Sequence, residues 1–204
     1  MKHDHRARMH ARGKIEVRPV RGGEVVADLI DRHFNAYNAA RVWEICRLLK
    51  EKVMRPRVTV GLSLSGAMIP AGMASSLIPL VENGFVDYII STGANLYHDT
   101  HFGLGLDLFR SSPFLDDVEL YRDRVIRIYD ITFDLDVLLK SDKFVYSVID
   151  QPEFQKKMAT SEMHHLLGKY VDRAEKHAGR QGRTLLGAAY RCKVQIYTSS
   201  PGDS

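Results

Sequence analysis

No run in this sequence approaches the roughly 18 consecutive apolar residues that a membrane-spanning helix requires. The start, MKHDHRARMHARGK, is basic and polar and lacks the apolar stretch that leads a secreted chain. Cysteine is scarce. Cys46 and Cys192 are the only two, which excludes a disulfide framework and suits a reducing compartment. Internal repeats and low-complexity tracts are absent. Neither sign of charge dominates, since 29 Lys and Arg against 25 Asp and Glu leave a net +4. A nucleic-acid surface needs basic residues gathered on one face with aromatics between them. The only local basic cluster runs from Lys2 to Lys14 and reads as a flexible tail. These absences lead us to expect a cytoplasmic protein that engages neither membrane nor nucleic acid.

What is present fits a globular chain with a core: 204 residues, 45% hydrophobic and 26% charged. The expected organisation is a basic tail over residues 1–14 and one body over 15–204. From Glu24 to about Met54 the apolar spacing is helical, and Pro56 ends the pattern. Arg57 to Leu64 reads as a strand, Pro70 to Asn83 as a helix, and Phe85 to Ser91 as a buried strand. Strand, small-residue loop, helix, strand, small-residue loop, helix is a βαβ arrangement, which implies a parallel sheet. Val118 to Ile128 alternates like a hairpin or a solvent-facing excursion. Asp134 can cap a helix through about Val148. A long helix is expected from Glu153 to about His177, a short one over Thr184 to Tyr190, and a last strand over Lys193 to Thr198. In open α/β sheets, ligands bind in loops after the carboxyl ends of strands. The chain stops at Ser204 just after such a strand, so we expect a truncated chain with an incomplete sheet.

Two loops carry candidate chemistry. Gly66, Ala67, Met68, Ile69 and Pro70 lie between a strand and a helix, where backbone amides and glycine let a phosphate approach. This stretch is neither a GxGxxG fingerprint nor a P-loop. Thr92, Gly93 and Ala94 occupy the equivalent place after the next strand, with Asn95 placed to cap the following helix. Adjacent loops of this kind face one crevice. Next come Tyr97, His98, Asp99 and His101. His98 and His101 share a helix face, but a metal site lacks a third ligand. His98 is better placed to hydrogen-bond a substrate amine or a ribose. The run Asp116-Asp117-Val118-Glu119 reads as a solvated loop. His164 and His165 read as surface residues and Cys192 as a core residue.

The stretches SGAMIPAGM, LIPLVENGFVDYIISTGANLYHD, HFGLGLDLFRSSPFLDDVELYRDRVIRIYDITFD and VQIYTSSPGDS together resemble the deoxyhypusine synthase family. The resemblance is nearest to its bacterial deoxyhypusine synthase-like branch and runs from about Gly13 to Ser204. It implies a Rossmann-like α/β fold with a parallel sheet and flanking helices, a homotetramer, and NAD held near subunit interfaces. It also implies an NAD-dependent transferase that moves an aminobutyl group from spermidine to an acceptor amine through an enzyme-lysine imine. The acceptor is a protein lysine in eukaryotic members, or putrescine, giving homospermidine. Cofactor contacts would fall on Gly66, Ala67, Met68, Ile69, Pro70, Thr92, Gly93, Ala94, His98 and Asp203. Polyamine contacts would fall on Tyr97 and His98, where eukaryotic members carry acidic residues. No metal is implied. The family lysine falls beyond Ser204, and Lys140, Lys143 and Lys169 do not match its setting. The 204-residue chain alone is therefore expected to be inactive. A non-catalytic NAD-binding subunit is the alternative, and a generic dehydrogenase a weaker one.

Overall fold

The computed structural model of the protein describes residues 14–202. The basic stretch over residues 1–13, together with Asp203 and Ser204, lies outside the described residues. The chain gathers into two compact units, one up to residue 58 and one from residue 59 onward, where a single body from residue 15 was expected.

The first unit is helical. Helix α1 spans Val26–His33 and α2 spans Tyr37–Leu48, continued by a π-helical turn over Leu49–Val53. The sequence pattern suggested one continuous helix here. The break comes because Ala36 is extended (φ −149°, ψ 176°) and Tyr37 is left-handed (φ 51°). The two helices are joined by a hydrogen bond from Trp43 Nε1 to Asp31 Oδ1 at 3.1 Å. Arg47 lies over the Trp43 ring, 4.9 Å from its centroid, a cation–π arrangement.

The second unit is α/β. In chain order it contains β1 (Gly61–Leu64), α3 (Ala74–Glu82), β2 (Tyr88–Ser91), α4 (Gly93–Gly103), β3 (Phe109–Arg110), α5 (Asp117–Arg122), β4 (Val125–Ile128), β5 (Ile131–Asp134), α6 (Leu135–Ile149), α7 (Thr160–His177), α8 (Leu185–Cys192) and β6 (Gln195–Thr198). A short 3₁₀ turn over Pro152–Phe154 precedes α7, so the long helix begins at Thr160 and not at Glu153. Strands β1, β2 and β6 form a parallel sheet with β2 in the centre, as the βαβ order implies. Strands β3, β5 and β4 form a separate antiparallel sheet.

The region expected to alternate from Val118 divides into a helix and a strand. The side chain of Asp116 accepts hydrogen bonds from the amides of Val118 (2.8 Å) and Glu119 (3.1 Å), which caps α5. The acidic run is thus a helix start, where the helix dipole favours negative charge. Pro70 lies in the turns ahead of α3 and not in its first turn, and Pro79 sits inside that helix.

One face of the parallel sheet is packed. Leu64, Ile89 and Ile196 point into a core with Leu77, Ile78 and Val81 of α3, Leu167 and Val171 of α7, and Leu185, Leu186 and Ala189 of α8. Removal of this apolar surface from water is the main force holding the layers together. Between α7 and α8, the buried carboxylate of Glu175 accepts from the amides of Arg183 (2.8 Å) and Thr184 (2.6 Å). This fixes the turn that returns the chain to β6.

Candidate functional site

The loops after β1 and β2 are stitched into one surface. Thr92 Oγ1 donates to the carbonyl of Gly66 at 2.7 Å. Asn95 is fully buried, and its Oδ1 accepts from the amide of Ile69 at 3.0 Å. Its Nδ2 reaches Ser91 Oγ at 3.3 Å and Thr92 Oγ1 at 3.2 Å. Asn95 therefore ties the two loops together, beyond the local cap expected of it.

A third loop joins them. A Cβ added to Gly93 would lie 1.7 Å from the carbonyl oxygen of Gly202 and 2.7 Å from that of Ser200. Only glycine permits the segment after β6 to approach so closely. Gly66 needs its glycine for a different reason: its φ is +58°, and no heavy atom stands within 4 Å of its missing Cβ. All three loops therefore meet at the carboxyl ends of the parallel strands, where α/β sheets bind ligands. No side chain caps α4, so its first turn can receive an anionic group. Gly66 is exposed there, Ala67, Met68, Thr92 and Ala94 are half-buried, and Gly93 is buried. Ile69 and Pro70 are buried, and the Ile69 amide is already bonded. Those two shape the loop from beneath. Asp203 lies outside the described residues.

Helix α4 carries the ionisable groups. The Tyr97 hydroxyl donates to Asp142 Oδ1 on α6 at 2.7 Å. His98 is 4% exposed, and its Nδ1 lies 2.9 Å from Nε2 of the fully buried His101. The other His101 nitrogen, Nδ1, lies 2.6 Å from Ser141 Oγ on α6. The Phe133 ring from β5 packs against both imidazoles, with centroids at 6.2 and 5.7 Å. Burial pushes the His101 pKa down to about 3, aided by the neighbouring His98, so His101 is neutral at ordinary pH. Asp99, on another side of α4, accepts from the amides of Leu185 (3.1 Å) and Leu186 (2.7 Å) at the start of α8. Its burial raises its pKa to about 7 against the lowering pull of those amides, with Glu175 adding to the rise.

The family described as deoxyhypusine synthase matches residues 28–204. The chain belongs to the deoxyhypusine synthase family. A deoxyhypusine synthase-like protein of Cyanothece sp. is 58% identical over 192 residues, covering 94% of this chain and 48% of that protein. Its counterpart in Nostoc punctiforme is 56% identical, covering 94% of this chain and 49% of that protein. A protein named probable deoxyhypusine synthase from Methanosarcina thermophila is 29% identical, covering 95% and 60%. The chain thus spans about half the length of the curated relatives it matches. A solved structure from Entamoeba histolytica assigned to the same family superposes with a TM-score of 0.55 at 15% identity, covering 88% of this chain and 59% of that one. That likeness concerns the fold alone.

Within this deoxyhypusine synthase-family chain, several residues stand differently from the sequence reading. His164 is not on the surface. It is buried on α7 with Nε2 2.9 Å from Thr198 Oγ1, at the end of β6, and burial pushes its pKa down to about 4. Cys192 is exposed, as is Cys46. Cys192 closes α8 where the chain turns through the left-handed Lys193, and so faces solvent. Among the described residues, no group of three or more His, Cys, Asp or Glu side chains could hold a metal. Asn95, Asp99 and Ser141 were missed as organisers of the site. Their partners are 26 to 87 residues away in sequence, and no local pattern announces such contacts.

Proposed function

We propose that the intact protein is an NAD-dependent aminobutyl transferase of the deoxyhypusine synthase type, built on a Rossmann-like sheet. The observation that carries this reading is the joining of the β1 and β2 loops by Thr92 and Asn95, beneath a third loop after β6. That arrangement suits a dinucleotide pyrophosphate: glycine at 66 leaves backbone accessible, glycine at 93 lets the loop after β6 come close, and no side chain caps the start of α4. Bound NAD would supply a hydride acceptor that turns an amine carbon into an electrophile and later returns the hydride.

In this reading Gly66, Ala67, Met68, Thr92, Gly93 and Ala94 border the cofactor, with Ile69 and Pro70 supporting them, and the family resemblance adds Asp203. Tyr97 and His98 stand at the boundary between cofactor and polyamine. Family members with acidic residues there would attract a cationic amine more strongly. A phenol and an imidazole weaken that attraction and favour a small amine acceptor such as putrescine, with homospermidine as product. The enzyme lysine is supplied from outside these 204 residues, and the working form is a cytoplasmic homotetramer.

Mass spectrometry of products from NAD, spermidine and putrescine tests the reading. The protein at its relatives' full length is expected to yield homospermidine and 1,3-diaminopropane, and the 204-residue chain neither. A full-length protein that modifies only a protein lysine would sink the putrescine assignment. Transfer by the 204-residue chain would sink the assignment of the lysine. Absence of any NAD-dependent turnover by the full-length protein would favour a non-catalytic NAD-binding subunit.

A further inference from the structure

A phenol and an imidazole stand at Tyr97 and His98, but Tyr97 reaches a carboxylate on another helix. Its hydroxyl donates to Oδ1 of Asp142 on α6 at 2.7 Å. The Tyr97 ring lies edge-on to His98 and His101, with centroids 5.3 Å away in each case, so packing sets the direction of the hydroxyl. The residue before Asp142 is anchored as well, because Ser141 Oγ lies 2.6 Å from His101 Nδ1. Two successive residues of α6 are thus fixed to one face of α4, and the Asp142 side chain is held in one orientation. Asp142 is exposed, and among the described residues it has the Tyr97 phenol as a partner and no cation. A carboxylate accepts at both oxygens, which leaves Oδ2 open to a donor from solution.

The position along α4 narrows what that donor is. Gly93, Tyr97 and His101 are spaced four apart and share one helix face. Tyr97 therefore lies one turn, about 6 Å, beyond the first turn of α4. A carboxylate against a pyrophosphate at that first turn would repel it. One turn further on, it suits a group of opposite charge.

We infer that Asp142 binds an ammonium group of the polyamine through Oδ2, and that Tyr97 is the positioning residue that holds Oδ1. This rests on the transferase reading above, which places the amine beyond the dinucleotide. A charge-assisted hydrogen bond joins the two ions. Because the carboxylate comes from α6 and stands in water, its pull is screened, in keeping with a looser hold on the amine than acidic residues on α4 would give.

Calorimetric titration of the full-length protein with spermidine, in the presence of NAD, tests the assignment. Asp142→Asn keeps an oxygen for the Tyr97 hydroxyl and removes the charge at an exposed position. It should bind spermidine roughly 3- to 20-fold more weakly and NAD as tightly as wild type. Added salt should weaken spermidine binding more steeply in wild type than in Asp142→Asn. Tyr97→Phe leaves the charge but releases the carboxylate to turn, so it should lose about 2- to 5-fold and keep the wild-type salt dependence. A contact that merely joined two helices would not separate the variants in this way. In steady-state assays the Asp142→Asn loss should fall on KM for spermidine more than on kcat. Wild-type spermidine affinity and salt dependence in Asp142→Asn would overturn the inference and leave the transferase reading intact. Equal losses of NAD and spermidine binding would overturn it in favour of a structural contact. A wild-type protein that binds no polyamine would overturn the transferase reading and this inference with it.

Discussion

Two groups on one helix give opposite pH signatures. Asp99 has a folded pKa of about 7, raised by burial, against about 4 for an ordinary carboxylate. The native state therefore holds the proton more tightly than the unfolded chain. The stability this gives is complete below about pH 4 and is lost as pH rises toward 7. His101 has a folded pKa near 3 against about 6.5 unfolded, so its share is present above pH 6.5 and is lost as pH falls. Between about pH 4 and 6.5 these two trends oppose each other, and His164, with a folded pKa near 4, adds to the histidine side, so wild-type stability should rise with pH there. Asp99→Asn removes one of them while keeping an acceptor for one of the Leu185 and Leu186 amides. Relative to wild type, the variant should therefore gain in Tm as pH is raised from 5 to 7.5. Thermal melts of both proteins across that range provide the check, and parallel curves would remove Asp99 as a titrating group. At this scale the sequence was only partly readable. Tyr97, His98 and the two loops were marked by their residue types. The burial of Asp99 and the Ser141 partner were not, because both depend on elements brought close only by folding.

At the level of elements, two glycines at neighbouring loops make a controlled pair. Gly66 is left-handed with open space around it, whereas Gly93 sits at the helix start against the carbonyl of Gly202. Gly66→Ala should cost about 1 kcal/mol through backbone strain alone. Gly93→Ala must displace the segment after β6, at about 1–3 kcal/mol as for other overpacked sites. It should also disturb the loop that holds Ser200 to Gly202. Urea denaturation measures both costs, and protease sensitivity after β6 should rise only in Gly93→Ala. Equal effects in the two variants would mean the close approach carries no energy. The order β1, α3, β2, α4 was legible because small-residue loops punctuate two apolar strands and a helical pattern. Strand β5 (ITFD) was not, since four residues alternate too briefly to be told from the cap of α6. The break at Tyr37 was hidden for a different reason: apolar spacing continues through it, and a left-handed tyrosine leaves no local signature.

For the molecule as a whole, the parallel sheet poses the sharpest question. Parallel sheets are normally covered on both faces. Here the packed face is Leu64, Ile89 and Ile196, and the other face carries Tyr88 at 36%, Ile90 at 51% and Tyr197 at 44% exposed. Those three residues, with Thr198, line an open hollow of about 400 Å³. The chain spans about half the length of its curated relatives, so a protein of their full length has ample residues to cover this face. Ile90→Lys separates the two situations. On the 204-residue chain it replaces exposed apolar surface with charge, and light scattering should show less self-association. On the full-length protein a lysine at the same place would be driven under a second layer, at a cost of about 2 kcal/mol or more. Tm should then fall by roughly 4 °C or more. An unchanged Tm in the full-length protein would mean that this face meets water there too. The sheet would then be a one-sided layer, and the crevice at the carboxyl ends of its strands would be closed by loops alone.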